Sequence, residues 1–166
     1  DTLVEEAARS DPRIRLHRQA ERHGKTAGLN AVVPLIDSDL IVFSDANAMY
    51  ETQALRELVW PFHDESVGYV VGAALYTETH ADGAASREGE FWDFELLQKQ
   101  REAIFDSVVG GDGAIYTIRR ELYWELEDDD INDFVNPLQI VAAGYRGVFS
   151  SEARCFEEAA DSFDKE

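Results

Sequence analysis

Residues 40–44, LIVFS, constrain the fold of this chain more than any other stretch of its sequence. A strand with one face in water alternates apolar and polar residues, and this run does not alternate. It therefore predicts a strand that is covered on both faces. The polar residues Asp45 and Asn47 follow at once, which indicates that the strand ends on groups able to bind a ligand.

Helical and strand-like patterns alternate along the rest of the chain. Helices are predicted at 2–9, 25–36 (shortened or kinked by Pro34), 51–62, 90–105 and 133–144, strands at 13–19, 40–44, 67–76, 113–119 and 145–150, and a small-residue loop at 77–89. This alternation predicts an α/β fold with a largely parallel sheet. Ligands of such sheets bind beyond the carboxyl ends of the strands, where Asp45 and Asn47 are expected.

The charge of the chain restricts its partners. The formal net charge is -19 over 166 residues, which argues against nucleic acid or an anionic membrane surface as a partner. Only three of the 15 basic residues are lysines, and this scarcity together with the acidity predicts a salt-adapted, halophilic protein. The alternative is an ordinary acidic cytosolic protein. Cys155 is the single cysteine, so no disulfide forms within the chain and a reducing compartment is expected.

The first polar cluster is His23-Gly24-Lys25, at the start of a predicted helix. Backbone N–H groups and a lysine converge at such a helix start, which suits an anionic ligand. The alternative is an ordinary helix start with a solvated lysine.

The second cluster is Asp45-Ala46-Asn47. Alternation along a strand would place the side chains of Asp45 and Asn47 on one side, where two oxygen ligands can hold Mg²⁺ or Mn²⁺. The alternative is a turn at the end of the strand.

The third cluster, residues 110–113 (GGDG), surrounds Asp112 with three glycines. Glycines permit a close approach of backbone to ligand, and the alternative is a flexible turn before the next strand.

The fourth cluster is residues 131–134, INDF, after an acidic run. Asp133 lies between Ile131 and Phe134, and apolar neighbours favour a carboxylate that accepts a proton. The alternative is that Asp133 only caps the helix that follows.

Taken in order, GKTAGLNAV, a strand ending in DAN, GGDGAIYTIRRELY, INDF and AAGYR resemble the catalytic domain of family 2 glycosyltransferases. The resemblance covers about Thr2 to Glu158. It implies the GT-A fold, a Rossmann-like nucleotide-sugar-binding sheet flanked by helices. DAN matches the Asp-x-Asp motif of the family, and INDF matches its Glu-Asp motif.

The resemblance also implies a mechanism. Asp45 and Asn47 would hold a divalent cation, Mg²⁺ or Mn²⁺, that carries the diphosphate of a nucleotide-sugar donor, with Lys25 assisting. Gly111 and Asp112 would shape the donor pocket. Asp133 would act as general base on the hydroxyl of a glycan or lipid acceptor, and transfer would invert the anomeric carbon. The nucleotide, the sugar and the acceptor are not specified by the sequence.

This sequence lacks the first strands of the family, and Asn replaces an acidic residue at Asn47 and Asn132. We therefore expect residues 1–166 to be a single truncated catalytic domain with little activity alone. Its open sheet edge would re-pair internally or form a homodimer. The parent enzyme would be attached to a membrane and face the cytoplasm. Two alternatives remain, a sugar-nucleotide nucleotidyltransferase and a degenerate, non-catalytic interaction domain.

Overall fold

In a computed structural model, five helices flank one sheet of five strands. The structure describes residues 1–77 and 85–158, and only the backbone of Thr77, residues 85–93 and Glu158. Helices and strands follow one another in this order: α1 (Thr2–Ser10), α2 (Gly24–Val32), β1 (Leu40–Phe43), β2 (Met49–Tyr50), α3 (Ala54–Val59), β3 (Val67–Thr77), α4 (Ala85–Phe105), β4 (Tyr116–Arg119), α5 (Asn132–Ala142) and β5 (Arg146–Glu158). The mixture of helix and sheet is as the sequence predicts.

The sheet has the strand order β1-β4-β3-β5-β2. β3 and β5 pair in parallel, whereas β4 runs antiparallel to both β1 and β3, and β2 runs antiparallel to β5. The prediction of a largely parallel sheet is therefore wrong, because β4 lies between two strands of the opposite direction. This reversal places the residues that precede β4 next to the carboxyl end of β1.

β3 forms the centre of the core because its side chains are buried on both faces. Tyr69 and Val71 pack into a cluster with Tyr116 and Ile140, while Val70 joins a second cluster below α3. β1 differs from this pattern, since Ile41 and Phe43 are buried and Val42 is exposed. The prediction that residues 40–44 are covered on both faces is wrong, because the face of β1 that carries Val42 is open to solvent.

Residues 13–19 do not form the predicted strand. They follow α1 as irregular chain, and within the described residues no strand pairs with the outer edge of β1. The predicted pairing of this segment with another strand of the chain is thus not observed. The alternation of Ile14 and Leu16 with arginines does not by itself provide a strand to pair with.

Several helix ends differ from their predicted positions. α2 passes into a 3₁₀ turn, Val33–Leu35, which contains Pro34, so the predicted shortening at Pro34 is observed. α3 likewise passes into a 3₁₀ turn, Trp60–His63. α4 begins at Ala85, so residues 85–89 are helical rather than loop, and residues 78–84 of the predicted loop lie outside the described residues. Among the described helices, none combines the length and apolarity that crossing a bilayer requires.

α5 begins one residue earlier than predicted. Ile131 is the N-cap and Asp133 lies in the first turn, so Asp133 is not the cap. Pro137 lies inside the helix and not near its start. After α5, Gly144 takes a φ of 93°, the left-handed region that favours glycine and ends the helix. β5 then runs eight residues beyond the predicted 145–150, to Glu158, where Ala153 and Cys155 supply buried positions.

Candidate active site

The candidate site lies where β1 ends and β4 begins. Phe43 is the last residue of β1 and is paired with Tyr116, the first residue of β4. Their rings stack with centroids 4.4 Å apart. Because the two strands are antiparallel, the segment after β1 and the GGDG segment before β4 meet at the same end of the sheet. The chain thereby joins two clusters that are more than 60 residues apart in the sequence.

Asp45 lies in a tight turn after β1. The N–H of Ala48 donates to the carbonyl of Asp45, which closes the turn, so strand alternation does not align Asp45 with Asn47. Asn47 is exposed. The carboxylate of Asp45 instead contacts Lys25 from the start of α2, with Nζ and Oδ1 2.6 Å apart. The structure thus connects the first predicted cluster with the second.

Gly113 is the point around which three predicted site residues converge. A Cβ placed on Gly113 would lie 3.2 Å from Oδ2 of Asp133, 3.3 Å from Oδ2 of Asp45 and 3.4 Å from Nζ of Lys25. Glycine at this position leaves open the space between two carboxylates and an ammonium group. The predicted base, Asp133, and two of the predicted donor residues, Asp45 and Lys25, therefore face one small volume.

Gly111 fixes the start of α5 against the same loop. Its N–H donates to the carbonyl of Asp133 over 2.8 Å, and a Cβ on Gly111 would overlap that carbonyl. Asp133 is half-buried, whereas Ile131 and Phe134 are exposed. The predicted apolar shielding of Asp133 by these two neighbours is not observed, because both side chains point to solvent from the outer face of the helix.

Asp112 is oriented through both of its carboxylate oxygens. Oδ1 accepts the N–H of Ala114 over 3.1 Å, and Oδ2 accepts Nζ of Lys99 over 3.3 Å. Lys99 comes from α4 and is only 4% exposed. Sequence reasoning missed this residue, although the scarcity of lysine in so acidic a chain was a usable signal.

Two further residues beneath the site were also missed. The hydroxyl of Tyr50 lies within hydrogen-bonding distance of the carbonyls of Phe43 and Ala114, at 3.2 and 3.0 Å, so it bridges the end of β1 and the loop before β4. Burial is the main cause that raises the pKa of Tyr50 to about 12, which keeps this hydroxyl protonated. Glu157 of β5 is buried nearby, and burial followed by the charges of Asp45 and Asp112 raises the pKa of its carboxyl.

The oxygen ligands at this site suit a cation that takes its remaining ligands from a substrate. Within the described residues, no three side chains among His, Cys, Asp and Glu are grouped to hold a metal ion by themselves. Mg²⁺ is commonly bound through one or two carboxylates plus substrate phosphates, and Mn²⁺ accepts the same oxygen ligands. Asp45, with Asn47 in the same turn, fits that mode of binding and does not fit a closed protein cage.

Comparison of the chain with protein-family models gives one family. The family model described as glycosyl transferase family 2 matches residues 1–127. That range contains Lys25, Asp45, Asn47, Gly111 and Asp112 but not Asp133. No curated protein matches the chain.

Solved structures show the fold. A mannosyltransferase from Pyrobaculum calidifontis, solved with GDP-Man and Mn²⁺, is 21% identical with a TM-score of 0.79, over 98% of this chain and 45% of that one. A glucosyl-3-phosphoglycerate synthase from Mycobacterium tuberculosis, solved with Mn²⁺ and UDP-glucose, is 15% identical with a TM-score of 0.48, over 95% and 52%. The chain therefore spans about half the length of these proteins. The likeness to the first shows that the predicted GT-A fold is correct.

Proposed function

Since this chain belongs to glycosyl transferase family 2, we propose that it transfers a sugar from a nucleoside-diphosphate sugar to an acceptor hydroxyl with inversion. The observation that carries the proposal is the convergence of Lys25, Asp45 and Asp133 on the space above Gly113. Donor groups and a base that face one volume are the geometry that in-line displacement requires. Family membership favours this reaction over nucleotidyl transfer.

Each residue takes a role that follows from its position. Asp45, with Asn47, would hold Mg²⁺ or Mn²⁺, which when bound offsets the negative charge of the donor diphosphate. Lys25 adds a flexible cation at the same place. Gly111 and Asp112 belong to the loop that carries Gly113 and would shape the donor pocket through it. Asp133 accepts the proton of the acceptor hydroxyl, which is a glycan or lipid group, as the attacking oxygen reaches the anomeric carbon.

The test begins with donor binding to the full natural protein. We expect GDP-mannose or UDP-glucose to bind in titration calorimetry with Mn²⁺ and to lose binding when EDTA is added. Asp133→Asn should leave donor affinity within about twofold and lower turnover by about 100-fold or more, which is the usual contribution of a general base. Failure of both nucleotide-sugars to bind would refute the proposal, and full turnover by Asp133→Asn would refute the role of Asp133.

The open space at Gly113 supplies a second variant with a matched control. A methyl group from Gly113→Ala would contact the two carboxylates and the ammonium at 3.2–3.4 Å, so donor binding should weaken roughly tenfold. Gly110→Ala is the control, since a Cβ there has no neighbour within 4 Å. Equal affinities for the two variants would show that the donor does not use this space.

A non-catalytic binding domain is the second candidate function. Two observations favour it: Asn47 offers no charge to a cation, and the amide of Asn132 is buried and donates to the hydroxyl of Tyr116 instead of facing the site. Donor binding without any release of nucleoside diphosphate, in both the unaltered protein and Asp133→Asn, is the result that this candidate predicts.

A further inference from the structure

Lysines are concentrated at the candidate site. The sequence holds only Lys25, Lys99 and Lys165. The first two contact carboxylates of predicted site motifs, Asp45 and Asp112. Lys99 also pairs with Glu95. The remaining ion pairs in the described part of the chain are formed by arginine or histidine: Arg13–Asp11, Arg18–Asp1, Arg18–Glu5, His23–Glu21 and Arg154–Glu152.

Lys99 differs from these surface cations because it is buried. Its side chain is 6% exposed, and its Nζ lies 2.9 Å from Oε1 of Glu95 and 3.3 Å from Oδ2 of Asp112. Lysine is almost never buried to this extent unless it is paired. Glu95 lies one turn earlier on α4, whereas Asp112 belongs to the loop before β4. The ammonium group therefore ties α4 to the loop that forms one wall of the site.

The contact with Lys99 completes a set of bonds that fixes the loop. Asp112 also accepts the N–H of Ala114 through Oδ1 and the N–H of Ile115 through its carbonyl. On either side of Asp112, Gly111 bonds to Asp133, and Gly113 leaves the space that Asp45, Asp133 and Lys25 face. A change in the orientation of Asp112 would therefore move both glycines.

The charge of Lys99 matters for a second reason. Asp45, Asp112 and Glu157 lie close enough that the first two raise the pKa of the third, after the larger effect of burial. An anionic diphosphate could not approach such a group of carboxylates without cations beside them. Apolar replacement of a whole buried ion pair often leaves stability unchanged or improved, so stability alone gives no reason to retain this pair.

We propose that Lys99 is a positioning residue of the donor site, which acts by holding Asp112 and the GGDG loop in the orientation that receives the diphosphate. This inference rests on the proposed function, because it presumes that a nucleoside diphosphate binds here. Lys99 itself does not contact the donor; its effect passes through Asp112.

The experiment is a double-mutant cycle read out by ligand affinity. GDP and UDP, each with Mn²⁺, are titrated into the unaltered protein and into Lys99→Met, Asp112→Asn and the double variant, at a temperature where all are folded. For whichever nucleotide binds, we expect Lys99→Met to lower the affinity by about tenfold. In the Asp112→Asn background the same change should lower the affinity less than twofold, because the effect of Lys99 requires the charge of Asp112. Arg101→Met, an exposed site on the same helix, removes the same charge and should change affinity less than twofold.

Three outcomes would overturn the inference. Unchanged affinity in Lys99→Met, with only a lower melting temperature, would make Lys99 a stabilising residue and nothing more. An equal loss in the presence and absence of Asp112→Asn would show that Lys99 does not act through Asp112. If Lys99→Met alone does not fold, the affinity of the double variant is compared with that of Asp112→Asn. A lower affinity in the double variant would still show that Lys99 does not act through Asp112. No nucleotide binding by the unaltered protein would instead remove the proposed function, and the inference with it.

Discussion

At the scale of single residues, the contact between Lys25 and Asp45 decides how the candidate site treats cations. The two side chains are 46% and 39% exposed, so this ion pair is a surface pair of modest strength. Its ammonium group nevertheless occupies Oδ1 of Asp45, the residue that we propose as a metal ligand. On our proposal, a divalent cation that binds Asp45 would therefore compete with Lys25 until the diphosphate of the donor draws the lysine away.

This competition gives a prediction with an unusual sign. Lys25→Met should bind Mn²⁺ alone about fivefold more tightly than the unaltered protein, since an exposed ion pair at its upper limit corresponds to about that factor. The loss of free Mn²⁺ signal in electron paramagnetic resonance measures the affinity. With GDP or UDP present the advantage should disappear, because Lys25 then binds phosphate.

Arg22→Met is the matched control for this experiment. It removes the same unit of charge from an exposed position three residues away. If both variants tighten Mn²⁺ binding equally, the cause is the more negative net charge of the chain and not the loss of competition between Lys25 and Mn²⁺ for Asp45.

At the scale of elements, one tyrosine of β4 fixes α5, the helix that carries Asp133, against the sheet. The hydroxyl of Tyr116 on β4 accepts the amide of Asn132 over 2.7 Å and that of Asn136 over 3.2 Å, both from α5. All three residues are buried. Asp133 lies between the two asparagines on the same helix, so this network sets the distance of Asp133 from the sheet.

Tyr116→Phe should therefore affect both stability and turnover. It leaves two buried amide donors without their acceptor, which costs about 2–3 kcal/mol in the free energy of unfolding. Turnover, measured well below the melting temperature, should fall roughly tenfold because Asp133 is no longer fixed. Donor affinity should stay within about twofold, since the donor residues lie on other elements.

Tyr123→Phe is the control for this prediction. Its hydroxyl donates to Oδ1 of Asn30 on α2, so the variant also breaks a tyrosine–asparagine hydrogen bond but leaves α5 intact. It should lower stability without lowering turnover. A similar loss of turnover in both variants would contradict a specific role for the network beneath α5.

The elements also show what could be predicted from the sequence. The order of helices and strands follows local patterns, and β1, β3, α3 and α5 lie where those patterns indicate. The direction of β4 does not follow from local pattern, because a short buried strand reads the same in parallel and antiparallel sheets. The prediction of a strand at residues 13–19 failed for a related reason. Alternation of apolar and polar residues gives a segment one apolar face, but a strand also needs a neighbouring strand to pair with.

Three residues of the candidate site were named from the sequence, but the contacts among them were not predicted. Lys25, Asp45 and Asp133 converge because β4 reverses, which no local motif encodes. The predicted alignment of Asp45 with Asn47 assumed a strand where the chain turns. Lys99 and Glu157 reach the site from α4 and β5, and tertiary packing alone brings residues so distant in sequence together.

At the scale of the whole molecule, β1 presents an open edge. Its four residues pair with β4 on one side, and no described strand occupies the other. Open edges with apolar residues tend to pair with another chain. We therefore expect this chain to associate with a second copy through β1, as the sequence predicts.

Val42→Lys tests that association, because a lysine on an edge strand opposes pairing. Val42 is 36% exposed, so the replacement should leave the core intact while lowering the dimer fraction in sedimentation velocity by at least about fivefold. Val109→Lys, at a position of similar exposure outside the sheet, is the control and should leave the dimer fraction unchanged. A monomeric mass for the unaltered chain across the concentration range would contradict the expectation.

The position of β4 between β1 and β3 also has a consequence for how the chain folds. The residues of β3 pair with residues of β5 that lie 78 to 81 positions later in the sequence. β4, from the middle of the sequence, must enter between β3 and β1. Pairings between such distant segments form late and slowly. The GGDG loop and Asp45 meet only after β4 has entered the sheet, so we expect partly folded intermediates to contain β3 and α3 but no nucleotide-binding capacity. Recovery of ligand binding during refolding would then report the last step of assembly and not the first collapse.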